Sequence, residues 1–342
     1  MTHHIGIDVH DDFSTLQHMD NEGCLGLSMT IPTEKEEFAR ILDSLDVPVT
    51  ITFEAGRNYF WLHEFFSKHP KVSLVNVVDA RRSRKIAEEL SAQAGYGRAK
   101  NDRIDAEMCA DETRRGLAPC IHVPTADQLE KRTFNRHRID LTKQRTRIVN
   151  KTHGLLRLRG IRIKTVELTD NLDSQKEVLA SLTKFDSIVL NHHIVLIKQI
   201  EDQIVDCDHI LDLLLPLSDP RLQLIISAPG FGAVLSRTVH TEILDIAYFK
   251  APKSLINYSG LAPVENESNH KKGNVYLNRY TNHYLKYAFV EAAHHASTHP
   301  KYRRKYQLDV KKHGKTRAKL NLARRLAKAV YWMLVRQQPF KH

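Results

Sequence analysis

An α/β domain followed by a long helical region is the architecture that these 342 residues predict. Three observations carry it. Up to residue 92, short β-branched runs alternate with stretches of helical period. From about residue 126, apolar residues recur at heptad spacing, and the charge is segregated into two basic blocks around an acidic one.

HHIGIDV (3–9) is apolar and β-branched enough for a buried strand, and STLQHMD (14–20) and CLGLSMTI (24–31) follow it, joined by the turn-like NEGC. TEKEEFARILDSL (33–45) has the helical period, with Phe38, Ile41, Leu42 and Leu45 on one face and Thr33 as N-cap before Glu36. PVTITFE (48–54) reads as an interior strand, 57–68 as a helix, VSLVNVV (72–78) as a fifth strand and 80–92 as a helix. Three strands, then helix, strand, helix, strand and helix imply an antiparallel hairpin region running into α/β crossovers, the element order of a ribonuclease H-like fold. Beyond 126, Leu141, Ile148 and Leu155 recur every seven residues, and Ile197, Ile200, Ile204, Cys207, Leu211 and Leu214 alternate three-four spacing. Together they predict an antiparallel helical hairpin with a coiled-coil seam, returning near 160–175. SAPGFG (227–232) interrupts with a Pro-Gly turn and opens a C-terminal region that ends in a basic amphipathic helix near 315–337.

Composition narrows the partner class. The chain carries 51 Lys and Arg against 40 Asp and Glu, a net charge of +11, with 20 His besides. The net charge is +9 over residues 126–165 and +13 over 301–342, the footprint of a surface that binds phosphate backbones through counterion release. No run of about 18 apolar residues occurs and MTHHIGIDV lacks the basic-then-apolar form of a signal peptide, so the expectation is a cytoplasmic, nucleoid-associated protein with no membrane partner. Cys24, Cys109, Cys120 and Cys207 lie far apart and are expected to be reduced and mostly buried. The histidine pairs at 3–4, 192–193 and 294–295 lack a third zinc ligand at persuasive spacing, and Pro300 is expected to end the helix that carries His295 and His299. Tyr302 and Tyr306, set among basic residues, are candidates to stack on unpaired bases.

Carboxylates supply the chemistry. Asp8 ends the first strand, Glu54 the fourth, and GRAKNDRIDAEM (97–108) places Asp102 and Asp105 one turn apart on a helix. Carboxylates at the ends of interior strands are poorly solvated and need partners, and Mg²⁺ takes oxygen ligands of this kind. Two such ions, about 4 Å apart, stabilise the oxygens of a phosphoryl transfer.

IGIDV, FEAGRNY (53–59) and KNDRIDA (100–106) resemble the three signatures of the DEDD insertion-sequence transposases, a group related to the Piv/MooV DNA invertases. The resemblance implies a RuvC-like catalytic domain over 1–125, whose Asp8, Glu54, Asp102 and Asp105 hold Mg²⁺, with Mn²⁺ able to substitute. A helical hairpin or coiled coil over 126–218 and a mostly helical C-terminal transposase domain over 219–342 complete the expected organisation. FGAVLSRTVHTEI and SLINYSGLAPVENES resemble the second domain of that family, whose serine attacks a DNA phosphate to give a phosphoserine. Ser268 takes that position, with Asn269 where the family has glycine and with Lys271 and Lys272 to stabilise phosphate charge. Ser259, beside Tyr258 and Leu261, is expected to be a packing residue. Lys100, Arg103, Arg145, Arg147, Lys151, Lys271, Lys272 and Lys286 are the expected nucleic-acid contacts. The resemblance further implies donor and target DNA as substrates, a noncoding guide RNA, and dimers or tetramers in which one chain's carboxylates meet another's serine. Three alternatives remain at this level: an invertase of the same superfamily, a RuvC-like junction nuclease using water, and a non-catalytic protein that bridges nucleic acids.

Overall fold

The IGIDV run forms β1 (His3–Val9), the middle strand of a five-stranded sheet. The computed structural model describes residues 3–93, 101–265, 275–277 and 281–341, and the chain divides into two units, Met1–Val123 and Pro124–His342. In the first unit β1 is followed by β2 (Phe13–Met19), β3 (Leu25–Pro32), α1 (Lys35–Asp43), β4 (Val49–Glu54), α2 (Tyr59–Ser67), β5 (Val72–Val78), α3 (Ala80–Gln93) and α4 (Asp102–Arg114). The sheet order is β3-β2-β1-β4-β5, with β1, β2 and β3 antiparallel to their neighbours and β1, β4 and β5 parallel. Hairpins suffice for the first three strands, whereas the parallel pairs need crossovers, which α1 and α2 provide. This mixed sheet with its helices is compatible with a ribonuclease H-like domain.

Both faces of the sheet are covered, and the sequence differs accordingly. On one side Phe38, Leu62 and Phe66 pack against Ile7, Ile51 and Phe53. On the other, α4 crosses β1 and β2. Its Ala106 and Ala110 come so close that a Cβ on Gly6 would lie 1.8 Å from the Ala106 carbonyl oxygen. Only glycine on the strand and small residues on the helix permit this approach, which sets where the first turn of α4 ends up. Val49–Phe53 are all buried, so β4 reads as a continuous run rather than an alternation.

Several sequence expectations need correction here. Thr33 does not cap α1: Glu34 holds that position without a side-chain bond, while the Thr33 hydroxyl donates to the His10 carbonyl at 2.9 Å. A short loop between β3 and α1 makes the β1–β2 turn the nearer acceptor. Cys24 and Cys120 are exposed, and only Cys109 and Cys207 are buried. Pro300 begins a helix instead of ending one, because its missing N–H costs nothing in a first turn. Tyr302 is buried at 9 % exposure in the C-terminal core, and Tyr306 packs against that core, so Tyr302 presents no stacking surface.

The second unit contains α5 (Ala126–Leu158), α6 (Thr165–Asp170), α7 (Leu172–Ser181), α8 (Lys184–Leu214), α9 (Pro220–Ile226), α10 (Ala233–Ile243), α11 (Pro252–Tyr258), β6 (Pro263–Glu265), β7 (Val275–Leu277), α12 (His283–Ala296) and α13 (Pro300–Arg336). A complete capping box, Thr125 with Gln128, starts α5. Helices α5 and α8 run antiparallel. Arg138 pairs with Asp208 at 2.8 Å, Arg145 with Glu201 at 2.6 Å, Thr152 Oγ1 lies 3.1 Å from His193 Nδ1, and Arg159 meets Asp186 at 2.6 Å. These rungs fall every seven residues along α5, flanking an apolar seam of Leu141, Ile148, Ile200, Ile204 and Cys207. Leu214 departs from the expected seam and is 39 % exposed. The return is longer than 160–175, since α6 and α7 occupy it and α8 starts only at Lys184. Gly314, at φ 79°, kinks α13, leaving the basic amphipathic segment beyond it to pack Leu322, Leu326 and Val330 into the core. Among the described residues no helix is long and apolar enough to cross a membrane.

His240 on α10 borders a cavity of about 180 Å³ that Lys131, Arg221 and Leu244 also line. Burial, and then the charges of Arg221 and Lys131, push its pKa from 6.5 down to about 4, with Asp219 opposing. Protonation therefore favours the unfolded chain. The stability contributed by neutral His240 is complete above pH 6.5 and is lost as pH falls through the window down to about 4. The full loss is about 3 kcal/mol. Urea midpoints across this window should fall in the parent protein and change less in His240→Gln.

Candidate metal centre

Two parallel strands and one helix terminus bring the acidic residues together. β1 and β4 pair in parallel with Ile7 opposite Phe53, so Asp8 and Glu54 stand one step further on, at adjacent carboxyl ends. The turns that follow these strands are tied together: Asn58 Nδ2 donates to Asp11 Oδ1 at 3.2 Å, and Arg57 lies 3.5 Å from Asp11 Oδ2. Arg57 and Asn58 belong to FEAGRNY, and this contact gives that segment a structural reason. Helix α4 starts where the Asn101 side chain accepts the Ile104 N–H at 2.9 Å. Asp102 and Asp105 then lie in its first turn. The positive end of the helix dipole offsets part of the repulsion within that acidic pair.

His10 links Asp8 to Asp102. The imidazole Nε2 of His10 lies 3.3 Å from Asp8 Oδ2 and 3.6 Å from Asp102 Oδ2. One ligand atom from each of Asp8, His10 and Asp102 falls within 4.8 Å of the others. Asp8 is 18 % exposed, Asp102 62 %. The Asp8 carboxyl titrates above its usual range because burial disfavours its charge and because Asp102 and Asp105 repel it, with His10 pulling the other way. Concentrated negative charge of this kind, on oxygen donors, suits a hard divalent cation.

Cys109, one turn beyond Asp105 on α4, reports on the same field. Its buried thiol is pushed well up by burial and then by the charges of Glu54, Glu112, Asp8 and Asp105. It stays protonated, neither thiolate ligand nor nucleophile. Asp8 and Glu54 thus end adjacent parallel strands, and Asp102 and Asp105 share the first turn of α4. His10 was not among the residues that the sequence singled out. Its signal was available, since it follows Asp8 by two and positions i and i+2 share a side of an extended strand.

The other predicted residues are placed variously. Ser268, Asn269, Lys271, Lys272 and Lys100 lie outside the described residues. Ser259 is buried and its hydroxyl donates to the Leu255 carbonyl at 2.5 Å, a packing role. Arg103 is exposed on the first turn of α4, Arg147 and Lys151 are exposed on α5, and Lys286 is half-buried on α12. Arg145 is engaged in its ion pair with Glu201 across the hairpin.

Known proteins resemble the chain in both of its units. Residues 5–159 match the family model of the DEDD transposases of IS110 type, and residues 222–307 match that of the transposases of the IS116/IS110/IS902 family. The chain is 23 % identical over 287 residues to the transposase for insertion sequence element IS1111A of Coxiella burnetii, covering 80 % of this chain and 74 % of that protein. It is 28 % identical over 294 residues to the uncharacterized 44.8 kDa protein of insertion element IS116 of Streptomyces clavuligerus, covering 70 % and 72 %. It is 24 % identical over 177 residues to the transposase for insertion sequence element IS1328 of Yersinia enterocolitica, covering 50 % and 51 %. The two family matches together span more than half of the chain, and with the carboxylates at the strand ends they make it a member of the IS110 family of DEDD transposases.

Proposed function

We propose that the protein is the recombinase of an insertion sequence, cutting and rejoining DNA with the Asp8, Glu54, Asp102 and Asp105 carboxylates and the Ser268 hydroxyl. The observation that carries the reading is the clustering of Asp8 and Asp102 with His10 where β1 ends and α4 begins, with Glu54 ending the strand beside β1 and Asp105 in the first turn of α4. Mg²⁺, or Mn²⁺ in its place, would be held by Asp8, Asp102, Asp105 and Glu54 and would neutralise charge on the pentacoordinate phosphate. Ser268 then attacks a DNA phosphorus, its proton passing to solvent or a neighbouring base. The bond to the 3′-oxygen breaks and leaves a phosphoserine with a free 3′-hydroxyl. A second 3′-hydroxyl attacks that phosphoserine, which restores the serine and joins new strands. The domain limits 1–125, 126–218 and 219–342 belong to this proposal, with α5 and α8 read as an antiparallel coiled coil that serves assembly into dimers and tetramers. A noncoding guide RNA pairing with donor and target DNA suits the two basic blocks at 126–165 and 301–342.

Ser268→Ala distinguishes the readings. Incubated with element-end DNA and Mn²⁺, the parent protein should form a covalent adduct that survives denaturing electrophoresis, and the variant none. A variant that still cuts DNA without the adduct would instead mark a water-using nuclease.

A further inference from the structure

We propose that His10 is a direct nitrogen ligand of the divalent cation held between Asp8 and Asp102, and that it biases this site toward transition-metal ions over Mg²⁺. The inference rests on the metal-dependent reading above and adds to it a residue outside the acidic set.

A single imidazole nitrogen, Nε2, faces one oxygen of each of two carboxylates, at 3.3 and 3.6 Å. One nitrogen carries at most one proton, so it cannot serve two acceptors well. A cation at the centre of the three atoms can. With ligands about 2.1 Å from an octahedral ion, neighbouring donor atoms lie about 3.0 Å apart and opposite ones about 4.2 Å. The two observed separations fall inside that interval, and all three atoms lie within 4.8 Å of each other.

The fold holds the three donors in place from independent directions. Asp8 sits in the β1 ladder opposite Thr15. His10 follows the strand, its backbone N–H donating to the Phe13 carbonyl at 3.1 Å, so the turn fixes where the imidazole starts. Asp102 is set by the Asn101 cap and by the close seating of α4 on Gly6. The imidazole is 57 % exposed and packs no core, so removing it should leave the fold intact. A nitrogen donor among carboxylates favours transition-metal ions, whereas Mg²⁺ prefers oxygen ligands.

The test uses the full chain with Mn²⁺ as a paramagnetic probe. Pulsed electron paramagnetic resonance should show coupling between bound Mn²⁺ and an imidazole nitrogen in the parent protein. The coupling should vanish in His10→Ala, while circular dichroism remains unchanged. By calorimetry, His10→Ala should weaken Mn²⁺ binding by about 10-fold or more and change Mg²⁺ binding much less. Asp8→Asn should abolish both. Mn²⁺ binding that depends on Asp8 but shows no nitrogen coupling would overturn the role of His10 and leave the carboxylate reading standing. Failure of the parent protein to bind Mn²⁺ at all would overturn both.

Discussion

Asp8→Asn should eliminate DNA strand cleavage while leaving the first unit at least as stable as in the parent protein. The two halves of this expectation have one cause. Asp8 is half-buried at the end of β1 and repelled by Asp102 and Asp105, which holds its carboxyl above the usual range. A carboxyl raised in the folded state is disfavoured there once ionised, so stability is lost as pH rises through its folded pKa. Asparagine keeps the shape and removes that charge. The midpoint of thermal unfolding at neutral pH should therefore stay level or rise. Under the proposed function Asp8 would hold the cation, so activity should fall with it. Removing groups that merely orient metal ligands costs about 10- to 100-fold, and deleting a transition-state donor costs about 100- to 1,000-fold, so a loss of at least 1,000-fold in adduct formation is expected to order of magnitude. Asp102→Asn should match it in activity. Cleavage retained in both variants would sink the carboxylate reading, and a large drop in melting temperature with Asp8→Asn would show that the charge has a stabilising partner.

Glu242→Ala should be the most damaging substitution for the second unit. This carboxylate on α10 is buried, with both oxygens meeting the Arg136 guanidinium at 2.7 Å and the Asn282 amide donating to Oε2 at 2.6 Å. Arg132 lies 3.8 Å away and also donates to the Thr241 carbonyl at 3.0 Å. Burial works against the Arg136 charge, and the bonds to Glu242 more than restore it. One side chain therefore joins α5, α10 and the cap of α12. Its removal leaves two partly buried arginines without their counter-ion, a change that typically costs about 3–5 kcal/mol. Denaturant unfolding followed by tryptophan emission should show the loss, since Trp332 lies on α13 of this unit. Glu242→Gln, which retains the volume and one acceptor, should cost less. A cost below about 1 kcal/mol, the range of a surface pair, would mean that water reaches the arginines.

How much of this is legible in the sequence differs by element. All five strands of the sheet and the first three helices follow from period and composition to within a residue or two, because each buries a face whose spacing is local. The Thr33 hydroxyl is a poor guide to a cap because it chooses between partners that are close in space, and His10 and Ser14 become its neighbours only when β2 and β3 pair. Tyr302 misleads for a related reason. A tyrosine between lysines and arginines looks like a surface residue, and α13 turns that side of its helix onto the core. At the candidate site Asp8, Glu54, Asp102 and Asp105 stand out by their motifs, whereas His10 carries no motif, only its place two residues after Asp8, and its distances to Asp8 and Asp102 bring it to notice.

The sequence by itself determined the order of strands and helices, the placement of acidic residues at strand ends and the segregation of basic charge, since each depends on neighbours along the chain. Tertiary structure alone decided which charges meet: Asp102 with His10 across more than ninety positions, and Glu242 with Arg136 across more than a hundred. Coulomb energy and desolvation depend on separation in space and on depth from solvent, and neither is set until the close approach of Gly6 to Ala106 and the packing of α10 on α5 have been made.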